Sequence, residues 1–152
     1  MTPPTTPAFS AEQQAWFERA CARINPQRLQ QLLFSIVDIH SPTGAARAAS
    51  EFMAQHLAEA GLKARYQPMT ETSGNVLAEL RGSGGGAALM LYAPIDTHLD
   101  LTEAESEWTG ARGEADMQPR AQSLGDWVFG LGASNPKAMV ATLTEIATAL
   151  IE

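Results

Sequence analysis

Apolar residues recur at helical spacing over the first sixty positions of the chain and at alternating spacing after them. Ser10 with Gln13 three positions on has the form of a capping box and predicts a helix over about residues 10–24. Asn25-Pro26 repeats the signal, a cap followed by proline at the first helical position, and Leu29, Leu32, Leu33, Ile36 and Val37 then make one apolar stripe. Ser41-Pro42-Thr43-Gly44 breaks that helix. A third is predicted over about residues 45–60, with Phe52, Met53, His56 and Leu57 near one face and Gly61 closing its C-terminus. Residues 62–69 and 75–80 then read as strands of period two. After the glycines of 82–86, residues 87–92 are nearly all apolar, the pattern of a strand covered on both faces. Residues 100–126 are acidic and Gly-containing without a strong period and read as one long, functional loop. A short strand follows at 127–129, and Asn135-Pro136 predicts a capped last helix to about residue 151. Helices before, between and after mixed strands predict an α/β fold, a three-layer α/β/α sheet sandwich.

Composition narrows the function classes. The 152 residues have the length of one domain with a sizeable core, residues 10–152, preceded by a loose Pro/Thr-rich segment over residues 1–9. A formal charge of -7 with singly scattered Lys and Arg argues against nucleic-acid binding through a basic face. Cys21 is the only cysteine, so an intrachain disulfide and a cysteine-based zinc site are both excluded, and a reducing compartment is the simplest expectation. The first residues lack a positive region followed by an apolar stretch, and no later run reaches the roughly 18 apolar residues of a membrane span. The expectation is a soluble, cytoplasmic protein.

The candidate chemistry lies in two segments, Leu89-Met-Leu-Tyr-Ala-Pro-Ile-Asp96-Thr-His98 and Gly130-Leu-Gly-Ala-Ser-Asn135-Pro-Lys137. Together they resemble the M20 family of zinc aminoacylases and carboxypeptidases, in which a hydrophobic strand ends in Gly-His-x-Asp and a later Gly-Arg-Gly-Ala-x-Asp-x-Lys-Gly run opens a helix. The run from Leu32 to Gly44, the helix ending Ala60-Gly61-Leu62, and Gly74-Asn75-Val76-Leu77-Ala78-Glu79-Leu80 look like the family's opening, in the family's order. The resemblance implies a zinc-exopeptidase-like sandwich, incomplete at its C-terminal side: in the family a second ligand set, a Glu-Glu catalytic pair and a lid domain lie downstream of the matching residues. It also implies hydrolysis of an amide or peptide C–N bond and, in the family, zinc. Two positions depart from the pattern. The histidine ligand position is Pro94, and the metal-bridging aspartate position is Asn135.

Each candidate has a functional and a plainer reading. Asp96 matches the aspartate that orients the family's histidine and is the candidate catalytic residue; otherwise it is a strand-end acid bonding nearby amides. Asp96, His98 and Asp100 alternate, so an extended chain would project them from one face as a displaced zinc-ligand set. His98 otherwise contacts solvent or substrate. Asn135 is neutral and cannot offset the repulsion of two bridged cations, so zinc is not expected at the family position in this chain alone. It reads as a helix cap that can also face the crevice. Lys137 beside a helix N-terminus could attract a substrate carboxylate, or is a surface lysine. His40 and His56 read as structural. Two functions remain open: a hydrolase module incompetent alone and completed by a C-terminal polypeptide or a second subunit, or a metal-free pseudo-hydrolase that binds a small amide or peptide or serves a structural role. Either leaves an unfinished sheet edge or apolar face, covered by that polypeptide or by a homo-oligomer.

Overall fold

The computed structural model describes residues 9–109 and 114–151. The expected loose segment therefore lies, except for Phe9, outside the described residues. Helix α1 (Ala11–Ala22) opens on the capping box: Gln13 N–H donates to Ser10 Oγ at 3.2 Å and Ser10 N–H to Gln13 Oε1 at 2.9 Å. None of its residues is buried. Helix α2 (Pro26–Val37) is capped by Asn25, whose Oδ1 accepts from the N–H groups of Gln27 and Arg28, both at 3.0 Å. Its stripe then meets α3 (Arg47–Glu59) and the last helix, α5 (Lys137–Ala149): Leu32, Leu33, Ile36 and Val37 form one buried cluster with Met53, Ala133, Val140 and Ala141.

A partly buried ion pair fixes α5 on α2. The Glu145 side chain, 2% exposed, accepts from Arg28 Nε at 2.7 Å, from a second guanidinium nitrogen at 2.8 Å and from Asn25 N–H at 2.6 Å. On the other flank α3 packs on a hairpin of β1 (Lys63–Pro68) and β2 (Gly74–Glu79), antiparallel from Lys63↔Glu79 to Pro68↔Gly74. The Ser50 hydroxyl, fully buried, donates to the Gly74 carbonyl at 2.9 Å and locks helix to hairpin. Gly61, at φ +99°, ends α3 as the apolar pattern predicts.

Two expectations fail. Residues 87–92 form no strand: the described sheets are β1–β2 and a second hairpin within residues 122–129, and Leu89, Met90 and Tyr92 are 84%, 85% and 76% exposed. An apolar run predicts burial only where neighbouring strands exist to cover it, and none of the described strands lies beside this one. Residues 100–126 are not a single loop. They contain α4 (Glu103–Thr109), a 3₁₀ turn (Ala115–Met117) and β3 (Gln122–Leu124), which pairs antiparallel with β4 (Trp127–Phe129) across Gly125-Asp126. Local side chains build the first of these: Asp100 Oδ1 accepts from Thr102 N–H at 2.9 Å, and Thr102 Oγ1 accepts from Glu105 N–H at 3.3 Å. The architecture is thus mixed α and β, with helices around two small antiparallel sheets. Among the described residues no helix is long and apolar enough to cross a membrane.

Candidate functional site

The turn after α2 lies parallel to residues 95–97 and holds them extended. Pro42 bridges Thr97; Thr97 N–H donates to the Ser41 carbonyl at 2.8 Å and Thr43 N–H to the Thr97 carbonyl at 3.0 Å. The buried Ser41 hydroxyl reaches the Ile95 carbonyl at 3.0 Å, and His40 Nε2 lies 3.2 Å from the Leu99 carbonyl oxygen. At the centre of this ladder the Thr43 hydroxyl donates to Asp96 Oδ2 at 2.6 Å.

The second segment approaches from the start of α5. Gly130 has φ +143°, and a Cβ there would collide with Val37 and lie 2.8 Å from the Arg120 carbonyl oxygen. Gly132 has φ +82°, and a Cβ there would lie 2.9 Å from Thr97 Cγ2. Gly132 is therefore required for the two segments to touch, while Gly130 lets the chain pass close to α2 and Arg120. Between the segments is an open cavity of about 200 Å³ whose lining includes Pro94, Asp96, His98, Leu131 and Asn135.

Four of the sequence-derived positions, Pro94, Asp96, His98 and Asn135, thus share one cavity wall. Asp100 does not. Its carboxylate folds back on Thr102, whose backbone N–H and then hydroxyl hold it below the usual carboxylate range, with a smaller contribution from the charge of His40. The expected one-faced alternation of Asp96, His98 and Asp100 ends there, because the chain turns at Leu101, which adopts φ +61°. Among the described residues no group of three or more His, Cys, Asp or Glu side chains is placed to hold a metal. Pro94 offers no donor atom and Asn135 only a neutral amide, so the donors in this cavity do not suit a dinuclear zinc centre.

Asn135 does not cap the helix. The helix begins at Lys137 with Pro136 in the N-cap position and no side-chain cap, so Asn135 sits one residue too far upstream for its oxygen to reach the first turn. Its side chain is exposed on the cavity wall instead. Lys137 is not a surface lysine: it is 1% exposed, and its Nζ donates to the Ile39 carbonyl at 2.7 Å. Burial draws its pKa down to about 8 against the opposing charge of Asp38. The ammonium is engaged at the C-terminal end of α2, and Lys137 is not among the residues lining the cavity. His56 stacks on Phe52 at 6.0 Å between ring centroids, and burial lowers its pKa against the charge of Glu59.

Sequence reasoning missed Thr43 and Ser41, treated only as parts of a helix-breaking turn. No spacing rule relates positions 43 and 96; their contact depends on the parallel ladder, which is a tertiary feature. No family model, curated protein or solved structure matches the chain.

Proposed function

We propose that this chain is the N-terminal part of an M20-like catalytic domain and supplies one wall of a crevice for a small amide or peptide. In this reading the complete domain is a three-layer α/β/α sandwich of the zinc-exopeptidase type. Residues 87–92 become an inner strand once further strands, from a C-terminal continuation or a second subunit, lie beside them. The completing polypeptide would also bring the base and remaining ligands that C–N bond hydrolysis needs. The observation that carries the reading is the convergence on one cavity of Pro94, Asp96, His98 and Asn135, drawn from the two segments that resemble the family's metal motifs. The apolar run at 87–92, exposed in this chain, supports the need for completion.

Asp96 is the candidate functional acid, with Thr43 in place of the family's histidine as its partner. His98 and Asn135 are placed to contact substrate; Lys137 is assigned to the support of the wall. Water activation by metal and base together is not available from these residues. A second reading, a metal-free pseudo-hydrolase that only binds, is favoured by the same Pro94 and Asn135, which remove donors while leaving the cavity.

Amide NMR spectra of the chain titrated with N-acyl amino acids and dipeptides, run beside an assay for released amine, test the proposal. The expected result is saturable shifts at residues 96–99 and 135 without turnover. Chelator-sensitive turnover by the chain alone would refute its incompetence, and no shift at these residues would refute the crevice wall.

A further inference from the structure

We infer that α1 is a self-association helix, pairing antiparallel with α1 of a second copy of this chain. This does not depend on the hydrolase reading. Helix α1 is well formed, with a complete capping box, yet it buries none of its residues. Phe9, Trp16 and Phe17 are each more than half exposed, and Ile24 is 36% exposed. At 100° per residue Trp16, Ala20 and Phe17 lie on one face of the helix, with Gln13 among them; Phe9 and Ile24 flank its two ends, and Phe9 already packs on Phe17 with ring centroids 5.9 Å apart. The small Ala20 on this face permits close approach of a second helix.

The charges beside this face select the occupant. Glu12, Arg19 and Arg23 lie along a single flank, the acid near the N-terminus and the two bases near the C-terminus. A parallel copy would turn this flank toward its partner's other flank, which carries Cys21 and Gln14 and no charge to pair with it. An antiparallel copy, with its two-fold axis between Trp16 and Phe17, sets Glu12 of each helix against Arg19 and Arg23 of the other, twice by symmetry. The same register places Trp16 on the second copy's Phe17 and Phe9 on its Ile24. Arg19, which lies 4.2 Å over the Trp16 ring, is already held at the edge of this surface. The face is short, so the dimer is weak and concentration-dependent.

The test is sedimentation equilibrium of the full chain with pulsed dipolar spectroscopy on a spin label at Cys21, the only cysteine and an exposed one. The wild type is expected to dimerise, more weakly at high salt. Trp16→Ala/Phe17→Ala should be monomeric; Glu12→Arg should weaken the dimer about tenfold, and adding Arg19→Glu and Arg23→Glu should restore it. The antiparallel register separates the labelled positions by roughly 13 Å along the axis and about 9 Å across it, whereas a parallel pair would hold them level. Because α1 contributes no buried residue, these variants leave the folded core intact. A monomer at every concentration, a dimer indifferent to Trp16→Ala/Phe17→Ala (association then running through residues 87–92), or the level label distance would each overturn the inference.

Discussion

The Thr43 hydroxyl bonds the Asp96 carboxylate at 2.6 Å, joining the turn after α2 to the residue that begins the candidate site's second strand of contacts. In the resembled family an aspartate at this position orients a histidine; here the corresponding position is Pro94, and a threonine 53 positions upstream in sequence takes the carboxylate. In the proposed reading the site keeps its acid and changes the acid's partner. Thr43→Val should therefore destabilise the chain by about 1 kcal/mol in urea unfolding, the usual worth of such a bond. A double-mutant cycle with Asp96→Ala should return a coupling of similar size. Additive effects would mean that the two side chains do not act together.

Lys137 sets a pH dependence with a definite sign. Its folded pKa is about 8, below the 10.5 of an exposed lysine, so the unfolded chain binds the extra proton between those values. Burying the charged form costs stability at neutral pH, and that cost is relieved as pH rises from about 8 to 10.5. Thermal unfolding of wild type should accordingly gain on Lys137→Met over this range, since the variant lacks the group. Parallel curves for the two would contradict the burial of the ammonium.

The Arg28–Glu145 pair should show the asymmetry of partly buried charges. Arg28→Ala leaves the Glu145 carboxylate with only the Asn25 N–H among the partners described above, and should cost about 2 kcal/mol, the worth of charge-assisted hydrogen bonds to a partly exposed arginine. Because Arg28 first, and the Asn25 N–H after it, lower the Glu145 pKa, the pair's contribution is present above the unfolded carboxylate value and is lost as pH falls through the folded one. Acid unfolding of wild type and Arg28→Ala should converge at low pH.

Met90→Ala should cost less than about 0.5 kcal/mol in the isolated chain, because Met90 is 85% exposed; a buried methionine would lose about 2–5 kcal/mol. The larger value would mean that residues 87–92 are covered in solution.

Local signals in the sequence were sufficient for the first three helices, though not for α4, which the local bonds of Asp100 and Thr102 build. The Ser10 and Asn25 caps, the α2 stripe and the Gly61 terminus all appear as read, since each depends on residues within about a turn of one another. Burial of residues 87–92 depends on neighbouring strands, the position of Asn135 depends on where Pro136 lets the helix begin, and the fate of Lys137 depends on the carbonyl of Ile39, 98 positions away. The site was half legible: the motifs locate Asp96, His98 and Asn135, but not Thr43, which becomes part of it only through the parallel pairing of Pro42 with Thr97.

We propose that Pro94 and Asn135 stand at two ligand positions of a hydrolase crevice and that zinc is not held there for want of donors. Zinc titration by calorimetry, with elemental analysis after dialysis, tests it on wild type and on Pro94→His/Asn135→Asp. The account predicts no retained zinc in wild type; in the double variant the new histidine and aspartate supply two ligands, so any gain stays weak while the remaining ligands are absent. Near-stoichiometric zinc in wild type that is lost on Asp96→Ala but kept in His98→Ala would contradict it.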